Sequence, residues 1–296
     1  MKIGAVINNS SGTLPPEETK NRLEIIKQNL KNRVAEGCLS VVEGSDVEKE
    51  VERLLTLGID LLVIGGGDGT VRTGARYVAD TDIPMLVLAL GTKNNFVRDA
   101  GIPKDPESAI HLLDQMQTRK IDVGEVNGHI FINNATLGLY PNLVREREEK
   151  TDKHGWSKWR AKIVAVMVVM RRLPLMRMTV ESKEFRIKLF TPFLFVGNNE
   201  YENITNSDVN RPSLDKGKLW LCMAKSPRFL ELFKMAWQLS IKSIKETENL
   251  DTRLLTNVQV NPRKRNVTVA VDGENITLKT PLNFRIRRKS LRIVVP

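Results

Sequence analysis

The segment LLVIGGGDGTV, residues 61–71, constrains the fold more than any other part of the chain. Its four leading apolar residues leave no polar side for solvent, so the strand they form is buried on both faces. The glycines that follow carry no Cβ. They let the backbone turn sharply and let its N–H groups come close to an anion. A strand of this kind needs parallel neighbours and helices to cover it.

The flanking sequence supplies both. KIGAVIN reads as a first buried strand, and residues 16–35 as a helix with Leu23, Ile26, Leu30 and Val34 on one face. CLSVVE is a short strand, Asp46 is placed to cap a helix running to Leu57, and Gly58 closes it. VRTGARYVA is helical, PMLVLAL is a fourth strand, and the loop GTKNN leads into another helical stretch. Asp105-Pro106 opens a helix that runs to Met116. The alternation predicts a Rossmann-like α/β domain around a parallel sheet.

Beyond about Asp122 the rhythm changes. HIFINNATLG, FRIKLFTPFLFVGN, KLWLCMA, NVQVNP, NVTVAVDGENITL and LNFRIRR are strand-like with turns between them. They predict a β-rich antiparallel sandwich domain. Two helical stretches interrupt it, 156–173 and SPRFLELFKMAWQLSIKSIKE, the latter with Phe229, Phe233, Ala236, Trp237, Ile241 and Ile244 on one face. The boundary is expected between 120 and 128, giving domains 1–124 and 125–284 with a cleft between them and the tail 285–296 completing the first.

Charge and composition narrow the partners. The formal net charge is +11 and the pI about 9.7, which favours polyanions such as nucleic acid, anionic lipid or phosphorylated ligands, or serves solubility alone. Cys38 and Cys222 show no CxxC spacing, as expected of reduced thiols in a cytosolic protein. The start of the chain reads as a strand rather than a signal peptide. The longest apolar run, IVAVMVVM at 163–170, is too short to cross a bilayer, which takes about 20 residues of helix. Trp156, Trp159, Arg160, Lys162, Arg171 and Arg172 flank it, as in an interfacial helix or equally in a packed helix with solvated ends. His111, His129 and His154 form no metal spacing, and Trp220 and Trp237 read as core.

Three loops suit phosphate. NNSSGT, GGGDGT and GTKNN follow the first, third and fourth strands, and in open α/β sheets ligands bind beyond such strand ends. A helix N-terminus adds partial positive charge there. One glycine loop is as well explained by turn geometry alone, but three in register favour a nucleotide. Asp68 beside bare phosphate makes sense where a Mg²⁺, its waters or a ribose hydroxyl intervenes. Neither GxxxxGK[ST] nor GxGxxG is present.

GGGDGTV, GTKNNFVRDAGIP and VAVDGE, in this order, resemble the diacylglycerol kinase catalytic domain family, nearest to the bacterial soluble lipid kinases and related to sphingosine and ceramide kinases. The resemblance covers essentially the whole chain. It implies an N-terminal domain of the NAD kinase/diacylglycerol kinase-like fold that binds ATP, and a C-terminal β-rich domain that holds the lipid. It further implies transfer of the γ-phosphoryl group to a hydroxyl of diacylglycerol or a similar lipid, dependent on Mg²⁺. By position, Asn8, Ser10 and Gly12 belong to the first phosphate loop, Gly66, Gly67, Asp68, Gly69 and Thr70 to the signature, and Gly91, Thr92 and Asn94 to the third loop. Asp68 and Asp122 fall near the phosphate and metal. Asp272 matches the catalytic base, with Glu274 beside it. From spacing alone, VDGEN reads as an Asp-Gly hairpin turn, and a hairpin tip can also present a carboxylate. Such an enzyme is expected in the cytoplasm, peripherally associated with a membrane that supplies its lipid, with no nucleic acid partner and with a homodimer allowed.

The chain departs from the family pattern at four places. Asn9 replaces a proline in the first loop, and Arg72 and Thr73 replace an Asn-Glu pair after the signature. Asn95 replaces an aspartate, and Lys216, in SLDKGKLW, replaces an aspartate that in bacterial members holds a structural Mg²⁺. Lost acids beside a gained lysine suggest an ammonium group in place of a cation, with Asp215 still able to supply an oxygen. An NAD-kinase-like enzyme is the first rival; the Asn-Glu pair and the NTDG-like stretch it would need are absent. A non-catalytic lipid- or nucleotide-binding homologue is the second, and the retained Asp68, Asp122, Asp272 and Glu274 weigh against it.

Overall fold

A computed structural model describes residues 1–12, 15–138, 175–204, 209–226, 228, 231 and 250–296. The expected helix at 156–173, nearly all of the one expected after Ser226, and Trp156, Trp159, Trp237 and His154 lie outside the described residues. The chain forms two compact units. One comprises Met1–Val123, Ser213–Gly217 and Arg287–Pro296; the other comprises Gly124–Pro212 and Lys218–Ile286.

The first unit is α/β. Its elements are β1 (Ile3–Asn8), α1 (Pro16–Lys31), β2 (Leu39–Val42), α2 (Val47–Thr56), β3 (Leu61–Gly66), α3 (Asp68–Val78), β4 (Met85–Ala89), α4 (Asn95–Asp99), α5 (Pro106–Ile110) and α6 (Leu112–Gln115). The strands pair in parallel in the order β2-β1-β3-β4, with Ile293 of the last strand beside Met85. Every residue of β1, β3 and β4 is buried, as their unbroken apolar character requires. Val47, Val51 and Leu54 form the buried stripe of α2.

Local signals misplace three helix features. The helix expected to reach 35 ends at Lys31, because the chain then turns and Ala35 N donates to Ile3 O at 3.0 Å. Asp46 makes no side-chain cap, since a 3₁₀ turn already leads into α2. The helix expected from Pro106 to Met116 is interrupted at His111, although Asp105 does cap its start by accepting from Ser108 N at 2.8 Å.

The second unit is β-rich. β5 (Thr118–Val126) leads into it, followed by β6 (His129–Phe131), β7 (Asn134–Leu137), β8 (Met176–Glu181), β9 (Arg186–Thr191), β10 (Leu194–Asn198), β11 (Asn203–Ile204), β12 (Val209–Asn210), β13 (Leu219–Ala224), β14 (Leu250–Leu255), β15 (Asn257–Pro262), β16 (Asn266–Val271), β17 (Glu274–Lys279) and β18 (Leu282–Val294). One antiparallel sheet runs β14-β13-β10-β7-β16-β17; the other layer runs from the start of β18 through β15 and β8 to β9. Phe131, Val196, Leu221 and Val269 pack with Met178, Val180, Val260 and Phe284 in one core. Strands β8 and β14 are not evident in the sequence: MRMTVE carries Arg177 and Glu181 on the side away from this core, and LDTRLL places Asp251 and Arg253, an ion pair, on the same side as the core residue Leu255.

Among the described residues no helix is long and apolar enough to cross a membrane. Cys38 and Cys222 are free and buried. Burial, helped by Asp251, pushes the Cys222 thiol up to about 12, so it carries no thiolate at neutral pH. The native protein at pH 7 is therefore expected to leave Cys222 unlabelled by a soluble thiol reagent until denaturant is added. Mass-spectrometric peptide mapping checks this, and rapid labelling of native Cys222 contradicts the packing described.

Candidate functional site

Parallel strands end on the same edge of their sheet, so the loops after β1, β3 and β4 meet. Asn8, at the end of β1, donates from Nδ2 to Thr70 Oγ1 at 2.9 Å, while its Oδ1 accepts from Ser10 N and Oγ at 3.0 and 2.8 Å. Gly67 N lies 3.4 Å from Ser11 Oγ. Asn94 closes the third loop on itself, accepting from Gly91 N at 3.0 Å and donating to Gly91 O at 2.6 Å. Two glycines are required by contact. A Cβ on Gly91 would lie 2.5 Å from Gly67 Cα, and one on Gly66 would lie 2.4 Å from Thr70 Cβ. The residues expected to form a phosphate site are thus brought together around the N-terminus of α3, with Thr92 exposed and Gly69 in the first helical turn.

Asp68 is part of this assembly. It is the first residue of α3, and its two oxygens accept from Phe96 N at 3.1 Å and Asn95 N at 3.2 Å. The carboxylate therefore ties the signature turn to the start of α4. The sequence, in which it stands in a glycine loop, does not reveal this tethering.

Asp122 is fully buried in β5. Its carboxylate accepts from Gly217 N at 2.6 Å and Lys289 N at 2.8 Å, and its own N–H donates to Leu214 O at 2.8 Å. The neighbouring Asp215 accepts from Ser213 Oγ at 2.5 Å and from Arg119 Nη2 and Nε at 2.8 and 3.2 Å. The Ser213 hydroxyl first, and then the Arg119 guanidinium, hold its carboxyl below the usual range. The expectation that Lys216 supplies the replacing cation needs correction: Lys216 is exposed, and the cation on Asp215 is Arg119. A planar guanidinium can make two N–H bonds to one carboxylate, which an ammonium does less well.

In the second unit, Asp272 and Gly273 form the tip of the β16–β17 hairpin with φ of 47° and 90°, the left-handed pair that a tight hairpin demands. The Asp272 carboxylate accepts three backbone bonds, from Ile132 N (2.8 Å), Asn133 N (2.8 Å) and Asn134 N (2.9 Å). The same turn is held from its carbonyl side. Arg211, 2% exposed, donates from Nη1 to Ile132 O at 2.6 Å and Asn198 O at 3.1 Å, and from Nη2 to Asn133 Oδ1 at 2.8 Å. Tyr201 Oη donates to Asn133 O at 3.0 Å, and Asn198 Nδ2 to Ile132 O at 3.0 Å. Glu274 is exposed beside the tip. Arg211, Asn198 and Tyr201 escape sequence reading; their only trace is a cluster of polar residues where strands end, in GNNEY and VNRP.

Asp68 and Asp122, the two carboxylates expected near a metal, each accept two backbone N–H bonds. No set of three His, Cys, Asp or Glu residues is placed to hold a metal among the described residues. This donor set does not fit a resident divalent ion. Mg²⁺ commonly binds through substrate phosphates with few protein ligands.

Residues 2–126 match the family model described as diacylglycerol kinase catalytic domain. Among named relatives, "Probable lipid kinase YegS-like" of Pseudomonas fluorescens is 41% identical over 113 residues, which is 38% of this chain and 38% of the relative. The protein of the same name from Pseudomonas aeruginosa is 43% identical over 113 residues, 38% of this chain and 37% of the relative. The matched segment thus spans well under half of these relatives' length. Over 100% of this chain and 97% of the other, the backbone resembles a crystal structure described as a diacylglycerol kinase from Bacillus anthracis str. Sterne, with a TM-score of 0.69 at 18% identity. A second structure from that organism has a TM-score of 0.73 at 19% identity with the same coverage. At such identity the likeness establishes the fold, an α/β unit followed by a β-rich one.

Two outcomes follow. Asp68→Ala leaves two backbone donors without their acceptor and should cost about 1–2 kcal/mol, lowering the melting temperature by a few degrees in calorimetry; an unchanged melt contradicts the tether. Arg119→Met should lower the melting temperature at pH 7. Because the folded pKa of Asp215 is depressed, its contribution is present above the unfolded value of about 3.9 and fades as pH falls through the folded one. The gap from wild type should therefore close below about pH 4 in melts across pH, and a gap that persists there argues for packing alone.

Proposed function

We propose that this protein is an ATP-dependent lipid kinase, transferring the γ-phosphoryl group of Mg·ATP to a hydroxyl of a lipid, with diacylglycerol as the first acceptor to test. The observation that carries this reading is the convergence of the loops at Asn8, Gly67 and Gly91 within the segment that matches the family. Backbone N–H groups at the start of α3 face an anion favourably, and the closely packed glycines leave no side chain to obstruct one. Asp68 holds the signature turn in register with α4.

Phosphoryl transfer asks mainly for positioning and for charge neutralisation. The acceptor hydroxyl oxygen attacks the γ-phosphorus, the bond to the bridging oxygen breaks, and ADP leaves. In this reading the hydroxyl proton passes to Asp272 as the base, with Glu274 as a second carboxylate at the same tip. Three N–H donors fix the Asp272 oxygens in place and stabilise their negative charge. Arg211 is a positioning residue that acts through the 132–134 turn. The enzyme is read as cytoplasmic and peripherally bound to the membrane that carries its substrate.

The test is incubation with Mg²⁺, labelled ATP and a lipid panel, followed by extraction of labelled phospholipid. Asp272→Asn should reduce turnover by about 10²-fold or more, the scale of a general base, with nucleotide affinity retained. Its melting temperature should also fall, because an amide places a donor against backbone N–H groups. Arg211→Met, which disturbs the turn but keeps the carboxylate, separates the roles. Equal losses of turnover in the two variants would mean that the shape of the turn, rather than a base at Asp272, supports activity.

A further inference from the structure

The outward face of β8 and β9 combines features that do not belong to the loops or to the Asp272 turn. Strand pairing sets Arg177 opposite Phe190, Thr179 opposite Lys188 and Glu181 opposite Arg186. Alternation turns Ile187 and Leu189 toward the core and leaves Arg186, Lys188 and Phe190 exposed. Phe190 is 41% exposed and Leu175, just before β8, is 44% exposed. The Arg177 guanidinium lies 5.3 Å from the centre of the Phe190 ring. The turn after β15 carries Arg263, Lys264 and Arg265, all exposed, and Arg263 N donates to Arg177 O at 3.2 Å, so these cations continue the same end of the face.

We propose that this face, centred on Phe190 and Arg177 and extended by the 263–265 turn, docks on an anionic lipid bilayer. The proposal rests on the lipid-kinase reading for its biological sense, but its physical basis is separate. Arg177, Lys188, Arg263, Lys264 and Arg265 make no ion pair with an acid among the described residues, while Glu181 pairs with Arg186 at 3.4 Å. The other acid nearby, Glu184, sits with Lys183 at the opposite end, in the β8–β9 turn. Cations on an edge strand often serve only to prevent strand addition. That explanation does not cover two exposed apolar side chains set among the cations, nor a basic turn that lies off the edge strand. An aromatic ring ringed by Arg and Lys is instead what a bilayer interface accommodates, with the ring at headgroup depth and the cations on lipid phosphates. Attraction of this kind adds per charge and fades within a Debye length, about 8 Å at physiological salt.

The experiment is sedimentation of the full chain, without nucleotide, with phosphatidylcholine vesicles and with the same vesicles containing phosphatidylglycerol. Wild type should bind the anionic vesicles, weaken as salt is added and leave neutral vesicles unbound. The triple variant Lys188→Glu, Lys264→Glu, Arg265→Glu should bind at least about tenfold more weakly, given a factor of roughly five per surface charge. Phe190→Ser should weaken binding with less change in its salt dependence. Melting temperatures keep these losses separate from unfolding, and the milder triple glutamine variant serves should the glutamates unfold the chain. Phosphorylation of lipid dispersed in detergent is read in parallel. Loss of vesicle binding with that activity intact supports the surface, and an inactive wild type that still binds through these residues also supports it while removing the kinase reading. Undiminished vesicle binding by folded variants overturns the proposal, as does equal binding of wild type to neutral vesicles. Competition by a DNA duplex as effective as that by anionic vesicles would make the face a general polyanion site and overturn it too.

Discussion

The first unit depends on one buried carboxylate. Asp122 accepts N–H bonds from Gly217 and Lys289, which lie 95 and 167 positions further along the chain. Three distant segments therefore meet at one side chain with no exposure to water. A charge in such a place is costly unless donors surround it, and backbone N–H groups from two other segments supply them. The short stretch Ser213–Gly217 and the tail Arg287–Pro296 belong to the α/β unit because this carboxylate and its neighbour Asp215 give them partners there.

The same device recurs at Asp68 and Asp272. Each is an acid of a recognisable motif, and each accepts backbone N–H bonds that fix a turn. In the lipid-kinase reading, architecture and chemistry are combined in single residues. The loops that would cradle phosphate keep their shape because Asp68 links two of them, and the hairpin tip is fixed because Asp272 gathers the amides of 132–134. In the lipid-kinase reading this is preorganisation: the groups that meet the substrate are already held, so little has to be ordered as the reaction proceeds.

The second unit balances charge around that turn. Asp272 takes its N–H groups, while Arg211 takes the Ile132 carbonyl and the Asn133 side-chain oxygen, so a carboxylate and a buried cation hold the turn from two sides. Tyr201 adds a hydrogen bond to Asn133 O and an aromatic ring 5.6 Å from the guanidinium. A turn held from both sides in this way is rigid without a disulfide or a metal.

Features that depend on neighbours a few residues apart were legible in the amino-acid order. The unbroken apolar runs of β1, β3 and β4 predicted a buried parallel sheet, the glycine clusters predicted tight loops at its edge, and Asp272-Gly273 predicted a hairpin, because burial periodicity and left-handed turns are local properties. The end of α1 and strands β8 and β14 were decided elsewhere, by hydrogen bonds and strand pairing with distant parts of the chain. The choice of Arg119 rather than Lys216 as partner of Asp215 could not be read from adjacency, since the arginine comes 96 positions earlier and only folding brings it within 2.8 Å. Arg211 is the clearest case. In sequence it is one of many basic residues on a strongly positive chain; in the folded protein it is among the largest fully buried side chains, because the carbonyls of Ile132 and Asn198 supply there the acceptors that water would otherwise provide.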